Sequence, residues 1–162
     1  MTQRIRPGIV VAAFATALLV GLSAPLRAQE ACSDASLQGT YAFNVQGANV
    51  SNPSLPPGAF AAVGRNTYDG KGQLKGSIVV GANGAIIPAT YTGTYTVNAD
   101  CSGVKTATLS IGAVVEFFFV VGDDRREIQM IATQAGPPGA LADGLTVAGS
   151  ARRVVTPATR RK

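Results

Sequence analysis

Residues 89–98, Ala-Thr-Tyr-Thr-Gly-Thr-Tyr-Thr-Val-Asn, decide the fold class. In an extended chain Tyr91, Tyr95 and Val97 fall on one face and Thr90, Thr92, Thr94 and Thr96 on the other, the side-chain period of a β-strand. The threonine face is expected in solvent, and the tyrosine face in a core or on a cavity wall. Gln38 to Gln46 repeats the pattern, with Tyr41, Phe43 and Val45 opposed to Thr40, Ala42, Asn44 and Gln46.

The same reading extends outward in both directions. Eight strand-like segments are expected: Gln38 to Gln46, Phe60 to Tyr68, Gly72 to Val80, Ala89 to Asn98, Lys105 to Ile111, Val114 to Val121, Arg126 to Thr133 and Gly144 to Val154. No stretch between them carries a helical period. The connections are mostly short and built for turns: Asp69-Gly70-Lys71-Gly72, Asn83-Gly84, Asp100-Cys101-Ser102-Gly103 and Gly122-Asp123-Asp124. Two longer ones, Asn49 to Gly58 and Gly136 to Gly144, are Pro-rich and mark the place for a cavity mouth. Hairpin-length connections favour one all-β domain, a small antiparallel up-and-down barrel of about eight strands, over a sandwich. Val114 to Val121 (VVEFFFVV) is apolar on both faces apart from Glu116, the pattern of a central or covered strand. Gly39-Thr40-Tyr41 and Gly93-Thr94-Tyr95 suggest a ring packed over the glycine that precedes it by two residues.

The N-terminus reads as a cleavable export signal. Arg4 and Arg6 precede an uncharged apolar run, Ile9 to Leu22, and Pro25 breaks the chain ahead of Ala28. The expected organisation is a signal peptide at 1–28, the barrel at 29–154 and a basic tail at 155–162. The run is shorter than the roughly 20 apolar residues a membrane span requires, so no membrane anchor is expected after cleavage. Glu30 argues against a lipid-modified Cys32.

Export changes the meaning of the charge. The chain carries 14 basic and 9 acidic residues, but Arg4, Arg6 and Arg27 leave with the signal. Arg152, Arg153, Arg160, Arg161 and Lys162 then crowd the C-terminal end, which leaves the body slightly acidic and gives no reason to expect nucleic-acid binding. Secretion or a periplasmic location also favours a disulfide between the two cysteines, Cys32 and Cys101, over two free thiols.

The chain has no histidine, which removes Ser-His-Asp and Cys-His catalysis and His-ligated metals, and a disulfide would remove thiolate chemistry. No phosphate-binding glycine loop is present. No cofactor and no metal are expected. Of the carboxylates, Glu116 draws attention as a buried acid, base or ligand anchor within an apolar strand, with Arg65 as its counter-ion if both face inward. Asp69 and Asp100 are expected to bond turn amides. Tyr41, Phe43, Tyr95, Glu116, Phe117 and Phe119 are the candidate lining of an interior ligand site.

Gly39-Thr40-Tyr41, Tyr68-Asp69-Gly70-Lys71-Gly72 and Thr92-Gly93-Thr94-Tyr95-Thr96-Val97 running into Asp100-Cys101-Ser102-Gly103 resemble a group of uncharacterised bacterial secreted proteins. The resemblance covers Cys32 to about Ile111 and implies a small barrel with a Cys32–Cys101 bridge, without an activity. A weaker likeness connects the Gly-x-aromatic strand opening to calycins, which hold small apolar ligands, although Tyr41 stands where their Trp is usual. The strand count and length are similar to barrels of the allene oxide cyclase type, whose catalytic motifs are absent. Three readings follow. The first is a binding module for a small apolar or amphipathic molecule. The second is an isomerase- or cyclase-like enzyme using Glu116 with tyrosine hydroxyls. The third is an envelope structural or interaction protein, which an exposed apolar patch would favour.

Overall fold

The computed structural model describes residues 30–53, 56–140 and 142–154; the expected signal peptide and basic tail lie outside them. A single 3-10 turn, Asp34–Ser36, leads into eight strands: β1 Gln38–Asn49, β2 Gly58–Asp69, β3 Gln73–Ala82, β4 Ala85–Val97, β5 Ser102–Leu109, β6 Val114–Val121, β7 Glu127–Gly136 and β8 Leu145–Arg153. Each pairs antiparallel with its sequence neighbour, and β8 returns to β1 along Tyr41–Asn49, so the sheet closes into a barrel. Closure leaves no strand edge to pair with another chain. The expected all-β barrel is therefore the observed one, and the sandwich is excluded.

The turns behave as their chemistry requires. Asp69 Oδ1 accepts from the amides of Lys71 and Gln73 at 2.7 and 3.0 Å, and Asp100 Oδ1 accepts from the Ser102 amide at 3.0 Å. The Ser102 hydroxyl also donates to Asp100 Oδ1 at 2.7 Å. For Asp100 this hydroxyl first and then the amide, and for Asp69 the two amides, favour the charged form and hold both exposed carboxyls below their ordinary pKa. In the β6–β7 turn the Arg126 amide bonds Asp124 Oδ1 at 2.9 Å. The described residues contain no cluster of side chains able to hold a metal ion.

The glycine–aromatic contacts differ from the expected ones. Rings cover the glycine directly across the ladder, not the one two residues earlier in their own strand. Phe43 pairs with Gly64, Tyr91 with Gly76 and Phe119 with Gly103. A Cβ built on Gly103 would lie 2.4 Å from the Phe119 ring and equally close to the Thr96 carbonyl oxygen. Strand glycines thus make room for large rings inside a narrow barrel and let the sheet curve tightly.

Where β6 meets β7 the register shifts: Glu116 pairs with Gln134 and Phe117 with Ala132, so the extra residue, Thr133, lies on β7 and β6 keeps its alternation. Phe119 and Val121 are buried inside, whereas Phe118 and Val120 on the other face are 42% and 44% exposed. The expectation of a central or covered β6 is thereby corrected: in a closed single-layer barrel every strand has one outer face. Outside, Val104, Phe118 and Ile131 are cross-strand neighbours on β5, β6 and β7, and form an exposed apolar stripe.

Candidate ligand cavity

The interior has two unlike halves. At the end that holds the chain's N-terminal segment, Tyr41, Tyr68 and Tyr95 stack edge to face, with centroids 5.5 and 5.0 Å apart. The Tyr41 hydroxyl donates to the Arg125 carbonyl at 2.8 Å, and the Tyr95 hydroxyl lies 3.1 Å from both the Asp34 and the Leu37 carbonyl oxygens. Leu37, fully buried, packs into the same core. Asp34 Oδ1 accepts from the Val97 amide at 2.7 Å, and Cys32 is joined to Cys101 across a Cα separation of 5.0 Å. This end is plugged.

The other half is hollow. A cavity of about 170 Å³ lies among Phe43, Ile78, Val80, Leu109, Phe117 and Val147, at the end where the two Pro-rich connections run. Pro56, in the first of those connections, is part of its wall. Two buried asparagines lace this end. Asn49 Oδ1 accepts from the Asn52 amide at 2.8 Å, and Asn52 Nδ2 donates to the carbonyls of Ala135 and Ala142 at 2.8 and 2.6 Å. The β1–β2 connection is thereby tied to the β7–β8 connection. The broader hollows over β1–β4 are shallow grooves on the outer wall.

Polar groups on the cavity wall are few. Lys105, on β5, is 5% exposed. Its Nζ lies 4.8 Å from the centre of the Phe117 ring and 5.8 Å from that of Phe43, and its nearest hydrogen-bond partner is Met130 Sδ at 3.3 Å. A thioether is a weak acceptor, and the ring faces recover only part of the hydration an ammonium loses on burial. Desolvation accordingly lowers its pKa to about 7. The second polar group is Asn66, whose side-chain amide bonds the Tyr91 hydroxyl at one end and has no partner at the other. Burial pushes the Tyr91 phenol well above its ordinary pKa, so it stays neutral.

The structure does not bring the residues singled out from the sequence together in one place. Phe43 and Phe117 line the cavity. Tyr41 and Tyr95 belong to the plug, and Phe119 is buried against Gly103. Glu116 lies outside the cavity wall: it is half-buried on the other side of β6 from Phe117 and accepts from Thr133 Oγ1 at 3.0 Å. Arg65 is exposed on β2, far around the barrel from β6, and forms no pair with Glu116 among the described residues. Lys105, which residue-type reasoning passes over, becomes the central polar group. The signal lies in alternation: Gly103, Lys105, Ala107 and Leu109 share the buried face of β5.

No protein-family model matches the chain, and the comparison with curated proteins found no match. The functional reading therefore rests on the cavity itself.

Proposed function

We propose that the protein is a secreted or periplasmic binding module that holds a small apolar or amphipathic molecule inside its barrel. The carrying observation is the apolar cavity of about 170 Å³, enclosed on the side of the tyrosine plug and laced by the asparagines at its mouth. Its size selects a small guest, since cavities of about 150 Å³ lined by aliphatic and aromatic residues accommodate benzene. Export is supported by the Cys32–Cys101 bridge, which suits an oxidising compartment, and by the signal-like residues 1–28. Benzene titrated into the purified protein is expected to shift the methyl NMR resonances of Ile78, Val80 and Met130 in a saturable way. Methyl resonances indifferent to benzene would sink the reading.

An enzymatic role gains no support from the geometry, because Glu116 and the tyrosine hydroxyls bond different partners in different places. The outer stripe of Val104, Phe118 and Ile131 favours a second reading, an interaction protein of the envelope. Sedimentation velocity checks it: association that strengthens with concentration and disappears in Phe118→Lys supports the reading, and a monomer throughout counts against self-association through this face.

A further inference from the structure

Among the described residues Lys105 is a buried cation without an anion. The elements packed around it offer Phe43 from β1, Tyr95 from β4, Phe117 from β6 and Met130 from β7. None of these is acidic, and the Tyr95 hydroxyl is already committed to the plug. Across the whole described cavity wall, Lys105 and Tyr91 are the titratable residues, and no carboxylate lies there. Buried ammonium groups are ordinarily paired or neutralised, and among the described residues none supplies Lys105 Nζ with an oxygen ligand. The cavity beside it is otherwise apolar, apart from the Asn66 amide with its unpaired end and the Tyr91 hydroxyl it bonds.

We propose that the occupant of the barrel is a small monocarboxylate, its head accepting hydrogen bonds from Lys105 Nζ and its apolar body filling the space between Phe43, Ile78 and Val80. The inference rests on the cavity being a ligand site, and it adds what the ligand's polar end is. A carboxylate supplies the missing anion in a low-dielectric setting, where a charge-assisted bond is strong. The volume of about 170 Å³ limits the body to something near a phenyl ring or a short alkyl chain. Binding takes up a proton where free Lys105 is neutral, because the bound anion holds the ammonium charged.

Benzoate and benzene, titrated separately and followed by NMR at several pH values between 6 and 9, test this. Benzoate is expected to bind best near pH 6 and to lose about tenfold in affinity per pH unit above 7, while benzene binding stays flat. In Lys105→Met, benzoate is expected to lose at least tenfold at pH 6 while benzene still binds, which also shows that the variant is folded. If the variant does not fold, the pH profile of the unaltered protein decides alone. Benzoate binding that ignores both pH and Lys105→Met, with benzene still bound, overturns the carboxylate anchor and leaves the cavity reading standing. Failure of both probes overturns the two together. Reductive trapping of benzaldehyde on Lys105, with benzoate binding no tighter than benzene, overturns the anchor in favour of a nucleophilic amine.

Discussion

Replacing Lys105 with Met is expected to stabilise the protein at pH 6 and to abolish most of the dependence of its stability on pH between 7 and 9. Lys105 is buried against two rings and a thioether, and its pKa falls from 10.5 to about 7 on folding. Between these values the unfolded chain binds more protons than the folded one, so stability rises with pH, by about 1.4 kcal/mol per unit. Below pH 7 both states are protonated and the full penalty of burying the charge applies, on the order of 5 kcal/mol. The penalty is absent only above the unfolded pKa. Methionine has a similar length and no charge, so the variant avoids the penalty without opening a large void. Urea midpoints at pH 6, 7, 8 and 9 check this: the wild-type midpoint should climb and the variant's should start higher and stay level. Parallel pH profiles for the two proteins would show that Lys105 reaches water. If both this result and the benzoate titration come out as expected, Lys105 is a site where stability is sacrificed, as at many functional groups.

Removing the bridge, as Cys32→Ala with Cys101→Ala, is expected to lower stability by about 4 kcal/mol on the chain-entropy account of a loop this long. The two cysteines are 69 residues apart, and the bond fastens the N-terminal segment to the β4–β5 turn. That segment carries Asp34 and Leu37, the two residues whose carbonyls meet the Tyr95 hydroxyl. Loss of the bridge should therefore expose the tyrosine plug first. Denaturation curves of the paired variant, set beside wild type with and without reductant, provide the measurement. A loss under about 1 kcal/mol would mean that the hydrogen bonds of the segment hold the plug without the covalent link, since each net contributes about 1 kcal/mol. Tyrosine fluorescence and hydrogen exchange of the Tyr95 and Val97 amides distinguish a local opening of this end from global unfolding.

Most of the architecture was legible in the residues. Period-two alternation with turn-forming connections placed all eight strands, and β6 at Val114–Val121 has the expected bounds. Boundaries drifted elsewhere, as at the start of β4, where Ala85 to Pro88 also pair with β3. Ladders extend as far as backbone partners exist, and side-chain pattern does not record where a partner ends. The candidate site was legible in part. Alternation gave Phe43 its inward face, while Phe117 was a candidate from a strand apolar on both faces, and alternation does not say how far along the barrel axis a ring sits. Tyr41 and Tyr95 share Phe43's inward orientation and still fall in the plug, because the stagger of the strands sets their height. Glu116 drew attention as a charge in an apolar strand, but VVEFFFVV is apolar on both faces, and only the closed barrel shows that Phe117, Phe119 and Val121 are the inward set.

The sequence by itself determined the class of fold, the turn chemistry, the absence of histidine-based catalysis and, in alternating strands such as β1 and β4, the face on which the apolar residues lie, since these follow from local stereochemistry and composition. Only the tertiary structure decided that the sheet closes, that one end is filled by tyrosines and the other left hollow, and that Lys105 stands inside with no carboxylate facing it. Those outcomes depend on register and stagger between strands distant in sequence, and a charge on an inward face becomes costly only when the barrel around it shuts out water.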